Sequence, residues 1–189
     1  MPVLDATPAG REVYRRLGFV DTWSFQRYSR DRRAAAGLAK TTMPDDLAIR
    51  PITDAVWRDI CAFDAGVFGA DRSALLARLR GRAPYVERCI ARDGRIVGAI
   101  LGRDGRVATQ IGPLVAADDN VALALFDHAI SSVNGPVFVD VPDSKKGILA
   151  FLAARRFESQ RPLTRMVLGR NAAFDDGSRT FAVVGPEFG

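Results

Sequence analysis

Two stretches of this chain follow one plan, and any fold must house both. Residues 3–28, VLDATPAGREVYRRLGFVDTWSFQRY, run from a strand to an aspartate, a turn with proline, a short helix, then a glycine and a phenylalanine that open a new strand. Residues 139–167, VDVPDSKKGILAFLAARRFESQRPLTRMV, follow the same plan with a short gap in the match, Asp140 answering Asp5 and Phe157 answering Phe19. A strand–helix–strand piece of this size cannot bury its own apolar side, so each copy needs a sheet to join. The first copy reads like the close of a domain, although it stands at the beginning.

Between the copies the elements change character. Residues 30–46, RDRRAAAGLAKTTMPDD, are basic and alanine-rich with Gly37 and Pro44 as punctuation and no apolar stripe, which predicts a linker. The main body is then 47–189. It opens with a short strand at Leu47 and Ile49, a helix capped by Thr53 with Val56, Ile60, Phe63 and Val67 at helical spacing, and a second helix ending near Gly81 and Pro84. Three strand-like runs, YVERCIARD, RIVGAILGR and VATQIGPLVA, are separated by Asp93-Gly94 and Asp104-Gly105, both hairpin signals. An amphipathic helix from about Asn120 follows, capped by Asp118 or Asp119. PVFVDV is apolar almost throughout and predicts a strand buried on both faces in mid-sheet. The helix KKGILAFLAAR, the strand FESQRPLTRMVLG and a final strand RTFAVV close the chain. This order predicts an α/β (α+β) fold: a mixed, mostly antiparallel sheet with helices on both faces.

Composition narrows the classes of function. With 48% apolar and 26% charged residues in 189, the chain can build a substantial core. No window is apolar for eighteen residues and the first twenty lack a secretory pattern, so the expectation is a cytoplasmic protein without membrane contact. Cys61 and Cys89 read as small core residues. The net charge of +5 invites nucleic acid, but the arginines are dispersed and not interleaved with aromatics, which argues against that partner. One histidine, two distant cysteines and no paired carboxylates leave nothing to hold a transition metal.

The element order of 47–189, with Tyr14-Arg15-Arg16-Leu17-Gly18-Phe19 in the opening, resembles the GCN5-related N-acetyltransferase (GNAT) family, where a Y-x-x-L-G-F segment lies on the helix and strand that close the fold. The main body is also similar to the C-terminal module that follows some bacterial GNAT domains, in its GPLVA strand and its RMVLG…FAVVGPEFG ending. On that resemblance residues 1–29 are the last strand–helix–strand piece of a first GNAT-like domain, and 47–189 a second one. Such a stub is expected to dock its strands and apolar helix face on the main body or on a second chain, as in a homodimer.

The resemblance implies acetyl-CoA as cosubstrate, held where two parallel strands splay apart, and an amine of a small molecule or a peptide as acceptor. It places Gln110, Ile111, Gly112, Leu114 and Val115 on the strand facing the thioester, Asn120 at the helix start that meets the pyrophosphate, and Ser144 and Lys145 at the end of PVFVDV. Tyr14 fits the family's proton-donating tyrosine, and Glu87 is the candidate base, with Asp64 as the alternative. The phosphate loop departs from Q/R-x-x-G-x-G/A: it reads Val115-Ala116-Ala117-Asp118-Asp119-Asn120, with no glycine and two carboxylates that would repel a pyrophosphate. A second reading follows from that loop, a GNAT-fold module that binds a ligand or supports a catalytic partner without turning over CoA.

Overall fold

The computed structural model describes residues 1–31 and 48–188, so the predicted linker, apart from Arg30 and Asp31, lies outside the described residues. The elements run β1 (Val3–Ala6), α1 (Pro8–Arg16), β2 (Phe19–Arg30), β3 (Ile49–Pro51), α2 (Asp54–Phe68), α3 (Ser73–Leu79), β4 (Arg88–Arg92), β5 (Arg95–Arg103), β6 (Thr109–Ala116), α4 (Asp119–Ser132), β7 (Val137–Pro142), α5 (Lys146–Ala154), β8 (Glu158–Leu168) and β9 (Thr180–Ala182), then a 3-10 turn at Pro186–Phe188. They form one nine-stranded sheet in the order β1-β8-β2-β7-β6-β5-β4-β3, with β9 paired to β6 off that path. Among the described residues β6 and β7 alone pair in parallel, and the other pairings are antiparallel.

Local chemistry explains most boundaries. Asp118 caps α4 by accepting from the Val121 amide at 2.9 Å, and Thr7 caps α1 through Gly10. Gly69, in the left-handed region, ends α2. Asp93-Gly94 turns β4 into β5 with positive φ at both residues, as a tight hairpin requires, whereas Asp104-Gly105 sits in a longer loop before β6. The strand expected from Tyr85 begins only at Arg88, because Glu87 is drawn into a turn by the Gly81 amide. The main core lies under α4 and α5, where Leu125, Phe126, Phe151 and Leu152 pack on Ile111, Val137, Val139 and Val141.

The opening stretch is built into the middle of this sheet. β2 lies between β7 and β8, and β1 lies outside β8. The two copies of the repeated plan are paired about an approximate two-fold axis at Phe25, which stands opposite Leu163. Trp23 opposes Arg165 and Arg27 opposes Arg161, while the register slips once at Thr22 in β2 and once at Gln160 in β8, equivalent positions in the two copies. Asp5 on β1 opposes Arg165 on β8, as Asp140 on β7 opposes Arg27 on β2. Helices α1 and α5 have nine residues each, and the turns after them place Gly18 and Arg156 in the left-handed region.

Each opposed pair is a buried, two-pronged ion pair. Arg27 meets Asp140 at 2.9 and 2.8 Å; Arg165 meets Asp5 at 2.9 and 3.0 Å and also Asp175 at 3.0 Å, under the Trp23 ring. The Trp23 indole N–H completes the cluster on Asp175 at 3.0 Å. Burial pushes the Asp5 carboxyl up, with Arg165 pulling the other way. Removing one member of such a group strands a charge in the core, at a cost of roughly 3–5 kcal/mol, whereas exposed pairs are worth at most ~1 kcal/mol.

The docking expected of residues 1–29 is met by their strands, and the apolar side of α1 stays exposed. No residue of α1 is buried, and Val13 and Leu17 are 57% and 62% exposed.

Urea unfolding should therefore show Arg165→Leu destabilised by about 3 kcal/mol or more, and Glu12→Ala, at an exposed pair with Arg15, by less than about 1 kcal/mol. Equal small losses would show that the buried cluster does not hold the two copies together.

Candidate functional site

The two parallel strands part where the sequence places the splay. β6 and β7 pair through Thr109–Val137, Gln110–Phe138 and Ile111–Val139, and there the ladder stops. Beyond it β6 keeps β5 on one side, with Leu114 opposite Ile100 and Val115 opposite Ala99. Its other side would be open but for β9, which sets Ala182 against Leu114 and Thr180 against Val115. The Ala116 amide donates to the Arg179 carbonyl at 3.0 Å, and on the β7 side the Val183 amide donates to the Asp140 carbonyl at 3.0 Å. The wedge exists, and residues 179–183 of the chain itself fill it, satisfying backbone groups of both diverging strands.

Gly112 is explained by this filling. Its φ is +140°, and a Cβ built there would stand 2.0 Å from the Val183 carbonyl oxygen. Behind β6 a void lined by Ile60, Asp64, Leu76, Pro113 and Val115 among others holds about 10 Å³, too little for a thioester arm. Asp64 itself is committed to Arg72, 2.8 Å away on both prongs.

The segment is latched at its start. Lys145, 8% exposed at the end of β7, donates to the Ser178 carbonyl and sets its ammonium 3.9 Å from the centre of the Phe181 ring. Burial pushes the Lys145 ammonium pKa down, against the pull of Asp119 and Asp176. Asp176 accepts from the Ser178 amide, the Ser178 hydroxyl and the Arg179 guanidinium, and these hold its carboxyl at about 2 against an ordinary 3.8.

The residues singled out from sequence occupy three separate places. Ile111, Leu114 and Val115 are core residues of β6. Gln110 is buried and donates its amide to Asp140 at 3.0 Å, joining the Arg27 pair. Asn120 and Ser144 are exposed at the starts of α4 and α5, near the latch of Lys145. Glu87 lies before β4, two strands from β6; it accepts from the Gly81 amide at 2.6 Å and burial pushes its carboxyl pKa up. Tyr14 is on α1, across β2 from the wedge, with its ring edge-on to Phe19 at 5.6 Å. Tyr14, Glu87 and the wedge are not brought together.

The residues around β6 and β7 do not fit acetyl-CoA in this arrangement. β9 takes the place along β6 that the cosubstrate would need between the parting strands, and the Asp118 carboxylate already occupies an amide at the α4 start, with Arg92 3.6 Å from it. The sequence gives no sign of which neighbour β9 takes, since RTFAVV reads as an ordinary final strand. Among the described residues no cluster could hold a metal ion, and no helix is long and apolar enough to cross a membrane.

A sheet of this order with a parting parallel pair at its centre defines a GNAT-type fold. The chain belongs to the acetyltransferase (GNAT) domain family, which matches residues 60–182 and so includes β9. It is 28% identical over 141 residues to an uncharacterised N-acetyltransferase of Bacillus subtilis strain 168, YitH, covering 74% of this chain and 48% of that protein. An acetyltransferase candidate of Pyrococcus horikoshii shares the fold with a TM-score of 0.70 at 21% identity, over 97% of this chain and 58% of that one. A GCN5-related N-acetyltransferase of Sphaerobacter thermophilus does so with a TM-score of 0.62 at 13% identity, over 87% and 58%. The chain thus spans about half the length of the curated relative it matches.

Two outcomes test the filled wedge. Gly112→Ala should cost at least about 2 kcal/mol in urea unfolding and speed hydrogen exchange at residues 180–184, since both the φ and the Val183 carbonyl forbid the methyl. Asp176 titrates lower in the folded chain, so its contribution is complete above pH 3.8 and is lost as pH falls through about 2. Protection factors in β9 should drop over that window and become flat with pH in Asp176→Asn.

Proposed function

We propose that the chain is part of an N-acetyltransferase that moves an acetyl group from acetyl-CoA to an amine of a small molecule or a peptide in the cytoplasm, and that its own β6–β7 wedge is the closed, supporting half of that enzyme. The family supports the reaction class, and the Bacillus subtilis relative bears the name of an N-acetyltransferase. The observation that carries the supporting role is β9 lying between the diverging strands. In that role residues 48–188 hold Arg27 and β2 in place, and through Arg165 they hold β1. Tyr14 is the one proton donor of the predicted set that lies outside the filled wedge, on a helix with no buried residue.

A conventional reading, in which acetyl-CoA enters between β6 and β7, requires residues 179–183 to leave and would expose Phe181, Ala182 and Val183, all 2% exposed or less. Burying three such side chains is worth several kcal/mol, on the order of 1.5–3 for each large one, which opposes that departure.

Two readouts on the natural polypeptide separate the statements. Release of CoA thiol that depends on an added amine, such as a polyamine or a lysine peptide, tests the transfer. Hydrogen exchange at Ile111–Ala116 with and without acetyl-CoA tests the wedge. Thiol release with unchanged exchange in β6 is the expected result. Absence of release with every amine class would end the transferase reading; release accompanied by slowed exchange in β6 would end the closed-wedge reading.

A further inference from the structure

The approximate two-fold axis between the two copies says what the first copy lacks. On the second copy, β7 is paired in parallel by β6 at Val137–Val139, and α5 is covered by α4, with the Phe126 and Phe151 rings 5.5 Å apart. On the first copy, the equivalent strand β1 has β8 as its single hydrogen-bonded neighbour among the described residues, although the 3-10 turn Pro186–Phe188 packs beside it. The residue of α1 equivalent to Phe151 is Val13, and it is 57% exposed with Leu17 one turn on at 62%. Among the described residues no second strand pairs with β1, whose free edge the 3-10 turn flanks, and Val13 and Leu17 stay exposed; on the other copy β6 pairs with the strand and α4 covers the helix.

From this we infer that β1 and α1 form a docking surface for a second GNAT half, a segment whose strand pairs in parallel with β1 beside Val3 and Leu4 and whose apolar helix lies on Val13 and Leu17. The two halves would then exchange strands reciprocally: β2 of the first copy completes the sheet of residues 48–188, while β8 completes the sheet to which β1 belongs. The wedge of that second sheet would open along β1, on the side of the molecule that carries Tyr14. Three observations fix the occupant as a GNAT half and not an arbitrary partner. The pairing is equivalent residue by residue, including both bulges and both ion pairs. The Pyrococcus horikoshii structure contains a counterpart of 97% of this chain and still has about two fifths of its own length beyond it. The Bacillus subtilis relative is likewise about twice the matched length. The inference rests on the family fold and not on the transfer reaction, so a negative thiol-release assay leaves it standing.

Cysteine labelling tests it. Val13→Cys, and separately Leu17→Cys, are placed in this chain, and a cysteine is placed at the structurally equivalent helix position of the full-length Pyrococcus horikoshii protein. Iodoacetamide modification is followed peptide by peptide by mass spectrometry, which sets aside Cys61 and Cys89. In this chain alone, both sites should label within about threefold of an unfolded control, and in the longer protein on the order of 100-fold more slowly, because labelling there must wait for local opening. Equal, fast labelling in both proteins would overturn the inference. So would protection of Val13→Cys that grows with concentration alongside a dimeric sedimentation coefficient, since the occupant would then be a second copy of this chain.

Discussion

The antiparallel pairing of β2 with β8 is the contact on which the rest of the molecule depends. It joins strands from opposite ends of the sequence, and its register is pinned by the buried pairs Arg27–Asp140 and Arg165–Asp5 on its two flanks. Buried charges contribute little net stability over an apolar pair, but they penalise any alternative in which a partner is missing. A slip of one residue along β2 would turn Arg27 from Asp140 and Phe25 from Leu163, leaving a carboxylate at zero exposure without its cation. The ion pairs therefore act as register marks, and the apolar cluster of Phe25, Leu163, Val183 and Trp23 supplies the attraction.

That same centre governs the wedge. Asp140 takes Arg27 and Gln110 on its side chain and Val183 on its carbonyl, so the strand exchange and the filling of the β6–β7 gap share one residue. Residues 176–183 run from the Asp176 turn, past the Lys145 latch, into the gap and out over Phe25. A fold whose relatives are acetyltransferases is here built so that the backbone groups exposed by the splay are answered from within the chain. In the first copy, by contrast, α1 has no buried residue and β1 pairs with β8 alone among the described residues.

Much of this was legible in the sequence because it is written in periodicity and punctuation. PVFVDV announces a central strand, Asp93-Gly94 a tight hairpin, Asp118 a helix cap, and the repeated strand-Asp-turn-helix-Phe plan the relation between the two ends. The resemblance of the segment 14–19 and of the element order to the GNAT family pointed to the right fold. Pairing between distant segments was not legible. Nothing local distinguishes RTFAVV as a strand that turns inward to β6, and the purpose of Gly112, which the family resemblance sets on the strand facing the thioester, is visible only once the Val183 carbonyl is seen against it. Arg27 and Arg165 do stand at equivalent places in the two copies, which was a signal of their shared role. The apolar side of α1 reads in sequence as a docking face, and in the structure Val13 and Leu17 stay exposed there.

If the exchange of β2 into the sheet of residues 48–188 is what holds that sheet together, removing residues 1–30 should be felt far from the cut. The measurement is thermal unfolding of the shortened chain followed by near-ultraviolet circular dichroism. Loss of a cooperative transition, or aggregation of the shortened protein, is the predicted result. A monomer that melts cooperatively within a few degrees of the intact chain would contradict the account.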